Sequence, residues 1–393
     1  MTLKKKRIGI FGAGNFGQYV YDVMKHHSNK EIICFLDNNA GNILREIPVW
    51  SVSELKVHML EIDQIWLAVK NFYQMGDIVL QLHDIGVKEI WIIKPDLWNK
   101  RMLEQSIFEI ENRYMYYLDI SKKAVITKLE FDVCNVCNLN CRGCGHFAPI
   151  FKGEYVRVED FQKQMDLLSR RFANVFRFRL MGGEPFLHKE FDKFIKIARE
   201  KLPYTHLEIV TNGLLLKNVP DYIWQAIIEN EAVLNISLYP PTFRIKDEIV
   251  AMLGEKGIEY SFGSGLEQYN EDGIIEEFHK CFTENKTHNP IIAFRHCMFK
   301  SCHYLRDGKI SKCSYPLLSY SINDYYQKKY IVEEADYVDL EDTKILPWDM
   351  VRRLRAATPF CAYCIEDAPV RFSWQTGGDY RFEDYIIEEG EEK

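Results

Sequence analysis

Cys137, Cys141 and Cys144 stand in the spacing C-x3-C-x2-C, and Met181-Gly-Gly-Glu-Pro185 follows downstream. Three thiolates so spaced suit three irons of a cubic [4Fe–4S] cluster and leave the fourth iron open to a substrate or cofactor. A structural zinc ion would want a fourth tetrahedral ligand, which Cys134 can supply by making two CxxC pairs. Those pairs lie closer together than ordinary zinc knuckles, so the spacing favours iron–sulfur while leaving zinc open.

Both motifs follow strand-like runs. Lys128-Leu-Glu-Phe-Asp132 precedes the cysteines, and Phe178-Arg-Leu-Met181 runs straight into the glycine pair. Thr211-Asn212-Gly213 follows a third apolar run, and Ser237 lies on a fourth, Asn-Ile-Ser-Leu-Tyr. Strand candidates at 127–133, 175–181, 206–211, 233–239 and 258–262 alternate with helical stretches such as Glu159–Arg171 and Lys189–Glu200. Repeated strand–helix order predicts a partial parallel barrel with its chemistry at the C-terminal strand ends. His188, just behind the glycine turn, reads as a surface histidine at a helix start, with a site role as the alternative.

In these motifs the chain resembles the radical S-adenosylmethionine (SAM) superfamily. The resemblance implies that Cys137, Cys141 and Cys144 hold the cluster and that SAM chelates its open iron. Gly182, Gly183, Glu184 and Pro185 would then form the SAM turn, with Gly183 and Glu184 meeting the amino group, and Asn212 and Ser237 would lie near the ribose. One position departs from the pattern: Gly143 stands where the family usually has an aromatic residue packed on adenine. Phe147 or His146 is expected to fill that space.

A second cysteine group comprises Cys297-x10-Gly308-x4-Cys313 and Cys361-Ala-Tyr-Cys364. Four thiolates in two pairs suit a zinc ribbon or a fully ligated [4Fe–4S] cluster. Beside a radical SAM core the pattern resembles the SPASM extension or its shorter form, twitch, which implies one auxiliary [4Fe–4S] cluster. Cys302 competes with Cys297 as its first ligand. Of the remaining cysteines, Cys34 reads as a small core residue. Cys281 and Cys302 are candidate hydrogen donors to a substrate radical, against the plainer reading of inert buried thiols.

The chain's first segment carries a different signature. Arg7-Ile-Gly-Ile-Phe11 leads into Gly12-Ala-Gly14-Asn-Phe-Gly17, and a helical pattern and a second strand then end at Asp37. Glycine turn, helix start and acidic residue in this order form a phosphate cradle, with Asp37 placed for ribose hydroxyls. Further buried runs at 64–69 and 89–93 predict a Rossmann-type parallel sheet. With Leu36-Asp-Asn-Asn39 and Ile47-Pro-Val49, the segment resembles the nucleotide-sugar-binding domain of bacterial sugar O-acyltransferases, which implies a nucleotide or nucleotide-sugar ligand. A docking module that has lost its ligand is the alternative.

The fold expected is therefore α/β in three parts. Residues 1–120 form a Rossmann-like domain ending in a helical linker from about 96 to 125, residues 121–290 a partial (β/α)6 radical SAM barrel, and residues 291–393 a small cysteine-rich cluster domain. A formal charge of -7 argues against general nucleic-acid binding. No apolar run is long enough to span a membrane, and the glycine-broken start is no export signal. Eleven cysteines without such a signal fit metal ligation in a reducing cytoplasm. The acidic tail, residues 386–393, is expected to be solvated.

These parts imply reductive cleavage of SAM to a 5′-deoxyadenosyl radical, fed by a reducing partner such as flavodoxin or ferredoxin. Hydrogen abstraction from a small polar substrate follows, a sugar or nucleotide-linked sugar, with oxidation as the outcome, within glycan assembly. The alternatives are a peptide-modifying enzyme, an epimerase using a cysteine outside both clusters, and a zinc-bearing nucleotide-binding scaffold without catalysis.

Overall fold

The computed structural model describes residues 5–25, 29–39, 41, 43–95, 110–263 and 273–388. Two compact units emerge, one of residues 1–127 with 172–176 and one of residues 128–171 with 177–393.

The first unit is built on a seven-stranded sheet of β1 (Lys6–Phe11), β2 (Lys30–Leu36), β3 (Ile43–Leu44), β4 (Ile47–Trp50), β5 (Gln64–Leu67), β6 (Glu89–Ile93) and β7 (Met115–Asp119). The order is β3-β4-β2-β1-β5-β6-β7. Strands β4, β2, β1, β5 and β6 run parallel, so the order reverses beside β1. In open α/β sheets that switch point is where ligands bind. Ile8, Ile10, Phe35 and Trp66 are fully buried beneath it, as expected of strands covered on both faces. Cys34 is likewise a buried strand residue.

The helical linker expected over 96–125 is corrected in part. Residues 96–109 lie outside the described residues, and Met115–Asp119 is a strand antiparallel to β6. Its Met115, Tyr116 and Leu118 are buried, and β-prone tyrosines favour the pleated surface over a helix. Residues 389–393 of the acidic tail also lie outside the described residues.

The second sheet has eight strands: β8 (Ala124–Cys134), β9 (Phe172–Gly182), β10 (His206–Thr211), β11 (Val233–Ile236), β12 (Tyr260–Phe262), β14 (His303–Arg306), β15 (Lys309–Ser311) and β16 (Tyr337–Asp339). Their order is β12-β11-β10-β9-β8-β14-β15-β16. Strands β9 to β12 are parallel, with helices Phe191–Lys201, Asp221–Glu229 and Lys246–Lys256 between them. β14 joins β8 in parallel and then folds back through the antiparallel β15 and β16. A separate pair, β13 (Glu277–Lys280) with β17 (Val370–Ser373), runs antiparallel. Among the described residues no helix is long and apolar enough to cross a membrane.

Candidate functional site

The loop after β8 brings Cys137, Cys141 and Cys144 to one wall of a cavity of about 200 Å³. Gly182, Gly183, Asn212 and Ser237, each at or just beyond a strand end, line the same cavity. The loop needs left-handed backbone at Asn140 (φ 51°) and Gly143 (φ 66°) to turn its thiols inward. Burial pushes the Cys144 thiol up to about 11, and the neighbouring Cys137 adds to the rise. Burial, then Cys144 and Cys137, raises Cys141 in the same direction. Three crowded thiols that resist ionisation on their own suit a cationic centre, which reverses that balance. Among the described residues, no three Cys, His, Asp or Glu side chains gather closely enough to hold a single metal ion.

The glycine turn lies flat on the cysteine loop. A Cβ on Gly182 would sit 2.2 Å from the Cys134 carbonyl oxygen, and one on Gly183 2.1 Å from that of Val136. The Gly183 and Glu184 amides donate to those same two carbonyls, each at 2.8 Å. Cys134 is buried, and its Sγ lies 3.3 Å from the Glu184 carbonyl, outside the cavity lining. This places it away from the fourth ligand position of the zinc alternative.

Glu184 and Pro185 lie beneath the wall rather than in it. The Glu184 carboxylate is fully buried and accepts from Thr211 Oγ1 at 2.8 Å, the Asn212 amide at 2.9 Å and the Phe186 amide at 3.3 Å. Asn212 in turn donates through Nδ2 to Asn138 Oδ1 at 2.7 Å and reaches within 3.9 Å of Cys137 Sγ. Glu184 thus ties the glycine turn to the residue that meets the cysteine loop.

Burial pushes Glu184 up from 4.5 to about 7, against the pull of its three donors. A raised carboxyl gives stability that is full below the unfolded value and lost as pH climbs through the folded one. Glu184→Gln is expected to flatten the metal-free protein's pH dependence between 4.5 and 7, by up to about 3 kcal/mol. Urea unfolding of both proteins across that window checks it, and parallel curves would refute it.

The barrel interior is charged. Lys128, Glu130 and Asp132 on β8 share one face, as do Arg177 and Arg179 on β9. Arg179 is almost fully buried and donates to Glu208 Oε2 at 2.6 Å, Glu130 Oε1 at 2.9 Å and Asn235 Oδ1 at 3.4 Å. Lys128 Nζ pairs with Glu130 Oε1 at 2.8 Å and donates to Cys302 Sγ at 3.1 Å. Tyr304 donates to Asp132 Oδ2 at 2.8 Å, and His146 Nδ1 lies 3.0 Å from the same oxygen. Glu130, Arg179, His146 and Cys302 reach the cavity. Sequence reading missed this network, although the alternation Lys-x-Glu-x-Asp on a strand was its signal.

The other thiols separate into two places. Cys281 hydrogen-bonds Cys364 and Tyr315 and lies in the field of Cys297 and Cys313. Cys361 is beside Cys297 and Cys313 as well. The structure thus gathers five thiols, Cys281 with Cys297, Cys313, Cys361 and Cys364. The isolated Phe282–Cys364 bridge and the Ile365 amide, 3.0 Å from the Cys281 carbonyl, hold two of these segments together. Cys281 is therefore placed among the candidate ligands rather than apart as a hydrogen donor. Cys302 does not compete with Cys297, because it is turned to Lys128 in the barrel. Buried Lys312 lies in the field of Cys361, Cys313 and Cys297, and its ammonium is pulled down to about 8 by burial.

Two further expectations are revised. Phe147 turns into an aromatic cluster against Tyr315 and Tyr385 and does not line the cavity, whereas His146 lines it with Gly143 and is held by Asp132. The start of a side chain at Gly143 is taken by Phe372, whose Cζ would be 2.4 Å from a Cβ there. His188 is buried rather than on the surface; its Nδ1 accepts from the Glu190 amide at 3.2 Å and its Nε2 donates to Val156 O at 2.9 Å.

In the first unit Gly12 (φ 111°) makes the turn after β1. A Cβ on Gly17 would fall 1.7 Å from the Gly12 carbonyl, so helix α1 (Asn15–Met24) packs directly on that turn. Gly14 caps α1 and faces open space. Asp37 Oδ2 accepts the Ala13 amide at 3.0 Å, which fixes the carboxylate over the loop.

Residues 132–249 match the radical SAM superfamily, and residues 7–71 match the PglD N-terminal domain. A 7,8-dihydro-6-hydroxymethylpterin dimethyltransferase of Methanocaldococcus jannaschii is 33% identical over 25% of this chain and 19% of its own length. A GTP 3′,8-cyclase of Microcystis aeruginosa is 30% identical over 33% of this chain and 39% of its own. The chain thus spans well under half the length of either relative. The crystal structure of Streptococcus suis SuiB bound to S-adenosylmethionine is 15% identical over 34% of this chain and 33% of that one, with a TM-score of 0.28.

Proposed function

We propose that this chain, whose residues 132–249 are a radical SAM domain, is an enzyme that takes hydrogen from a C–H bond of a small polyhydroxylated substrate. One observation carries the reading: three thiols, the glycine turn, Asn212 and Ser237 share a cavity with the charged interior of the barrel. Cys137, Cys141 and Cys144 would hold the [4Fe–4S] cluster, and Gly182, Gly183, Asn212 and Ser237 would cradle SAM. When bound, that pair supplies one-electron cleavage of SAM and a carbon radical able to attack an unactivated C–H bond.

The chain's own residues do the positioning. Side-chain-free Gly182 and Gly183 let the turn lie against the cysteine loop, and Glu184 fixes Asn212. Arg179 and Lys128 direct their donors to Glu130, Glu208, Asn235 and Cys302, so the network turns hydrogen-bonding groups rather than net positive charge toward a substrate. This supports a neutral sugar-like group over a polyphosphate, which needs several uncommitted cations. The second thiol group supports an auxiliary cluster on Cys297, Cys313, Cys361 and Cys364, with Cys281 beside them, as in SPASM or twitch extensions. Such a cluster can accept the electron that makes the outcome an oxidation.

The first unit, with its parallel sheet and glycine turn, would hold a nucleotide or nucleotide-linked sugar. We assign residues 1–120 to that role, 121–290 to the radical SAM core and 291–393 to the auxiliary cluster. A cytoplasmic setting with a flavodoxin or ferredoxin as reductant fits the eleven cysteines.

Oxygen-free reconstituted protein, given SAM and dithionite with free and nucleotide-linked sugars or short peptides, is the test. Faster 5′-deoxyadenosine release with a sugar, and deuterium transfer from the labelled sugar, is the expected result. Turnover of peptides but not sugars would overturn the substrate class.

A further inference from the structure

The segment from Val370 to Tyr385 runs over the first cysteine loop and meets it at Trp374, Gln375, Thr376, Gly377 and Asp384. β17 is anchored on β13, with Phe372 opposite Phe278, and the Trp374 amide extends the pairing to the Glu276 carbonyl at 2.8 Å. The Arg142 amide then donates to the Gln375 carbonyl at 2.9 Å, and its guanidinium meets Gln375 Oε1 at 2.9 Å. Thr376 bridges Cys141 and donates through Oγ1 to the Leu139 carbonyl. The Gly377 amide reaches the Asn140 carbonyl at 3.3 Å. The Arg142 guanidinium also grips Asp384 with two bonds, at 2.6 and 3.2 Å. At the centre, Trp374 Nε1 lies 3.1 Å from Cys141 Sγ. Its ring stacks on Tyr239 at 5.5 Å and 23°.

An indole N–H only donates, so the direction of this bond is fixed by chemistry. Of the three thiols lining the first wall, Cys141 is the one given a side-chain N–H donor of this length. We infer that Trp374 is a positioning residue that holds the Cys141 thiolate by a hydrogen bond and raises the reduction potential of the cluster bound there. This rests on the cluster reading above. A donor at a ligand sulfur stabilises the more negative, reduced state over the oxidised one, and bonds to the sulfurs are one of the means by which proteins set cluster potentials. Gly143 belongs to the same device. Phe372 and the Asp384 carbonyl occupy the space where a side chain there would begin, so glycine lets the strap close.

The experiment is an EPR-monitored redox titration of full-length, anaerobically reconstituted protein with and without Trp374→Phe. Phenylalanine keeps a ring for Tyr239 and removes the donor. The expected result is a midpoint shifted to more negative potential in the first cluster, with the second cluster's midpoint unchanged. Selective loss of the first cluster, with the second retained and the melting temperature unaltered, supports the same role in stronger form. An unchanged midpoint at full iron content overturns the inference and leaves the functional reading standing. Asp384→Asn loosens the Arg142 clip but keeps the donor, so it should leave the midpoint in place; an equal shift in that variant would assign the effect to the strap and overturn the role given to the indole. Wild-type protein that takes up no iron at all would sink both readings together.

Discussion

Changing Cys137, Cys141 and Cys144 together to alanine is expected to remove about four of about eight irons per chain and to bring SAM cleavage to background. The brown absorbance should fall by about half, because the second thiol group is untouched. The three thiols share one wall; Cys144 and Cys137 raise the ionisation cost of Cys141, and Cys137 that of Cys144. Iron, sulfide and zinc analysis with anaerobic spectra reads the result. Zinc at both groups and no iron would make the chain a binding protein.

The second large effect is on stability. Arg179→Met should cost about 3–5 kcal/mol near pH 7, because it leaves Glu130 and Glu208 charged inside the barrel with part of their compensation gone. Burial alone would raise both carboxyls; Lys128 and Arg179 hold Glu130 far below its ordinary range, and Arg179 and Arg177 lower Glu208. Depressed carboxyls give stability that is present above their unfolded value and lost as pH falls toward the folded one. In the variant those carboxyls can take up protons, so the deficit should shrink toward pH 5. Adding Glu208→Gln should recover part of it at pH 7. Denaturant unfolding at the two pH values decides, and a deficit independent of pH would point to lost packing instead.

Much of this was legible in the sequence. The apolar run before Gly12 became a strand because buried parallel strands are nearly continuous in hydrophobicity, and those before Cys137 and Gly182 became strands although charged residues alternate with their apolar ones. Chemistry at strand ends then put the motifs on one side. The charged interior escaped notice for the opposite reason. Lys128-x-Glu130-x-Asp132 alternates with apolar residues, a pattern that on most strands means a solvent face. Only the curvature of the barrel turns that face inward. Cys281 and Cys302 were interchangeable in sequence, since spacing carries no information on which segment folds back. The pairing of β14 with β8 places Cys302 in the barrel, and the Phe282–Cys364 bridge places Cys281 with the second group. Nothing in residues 370–385 announced contact with Cys141, because such a strap is specified by tertiary pairing and not by a local motif.

The parallel pairing of β14 with β8 also governs how the molecule comes into being. Lys128 and Cys302 touch although they are 174 positions apart, and Trp374 reaches Cys141 across 233. On a ribosome, β8 would wait roughly 10–35 s for its neighbour at ordinary elongation rates. Until then it is an exposed sheet edge that also carries buried-type charges, a template for wrong pairing. Contacts of such sequence separation make folding slow. The contacts over the first cysteines accordingly form only after residues 370–385 have been made, and a nascent chain that lingers short of that point exposes the β8 edge.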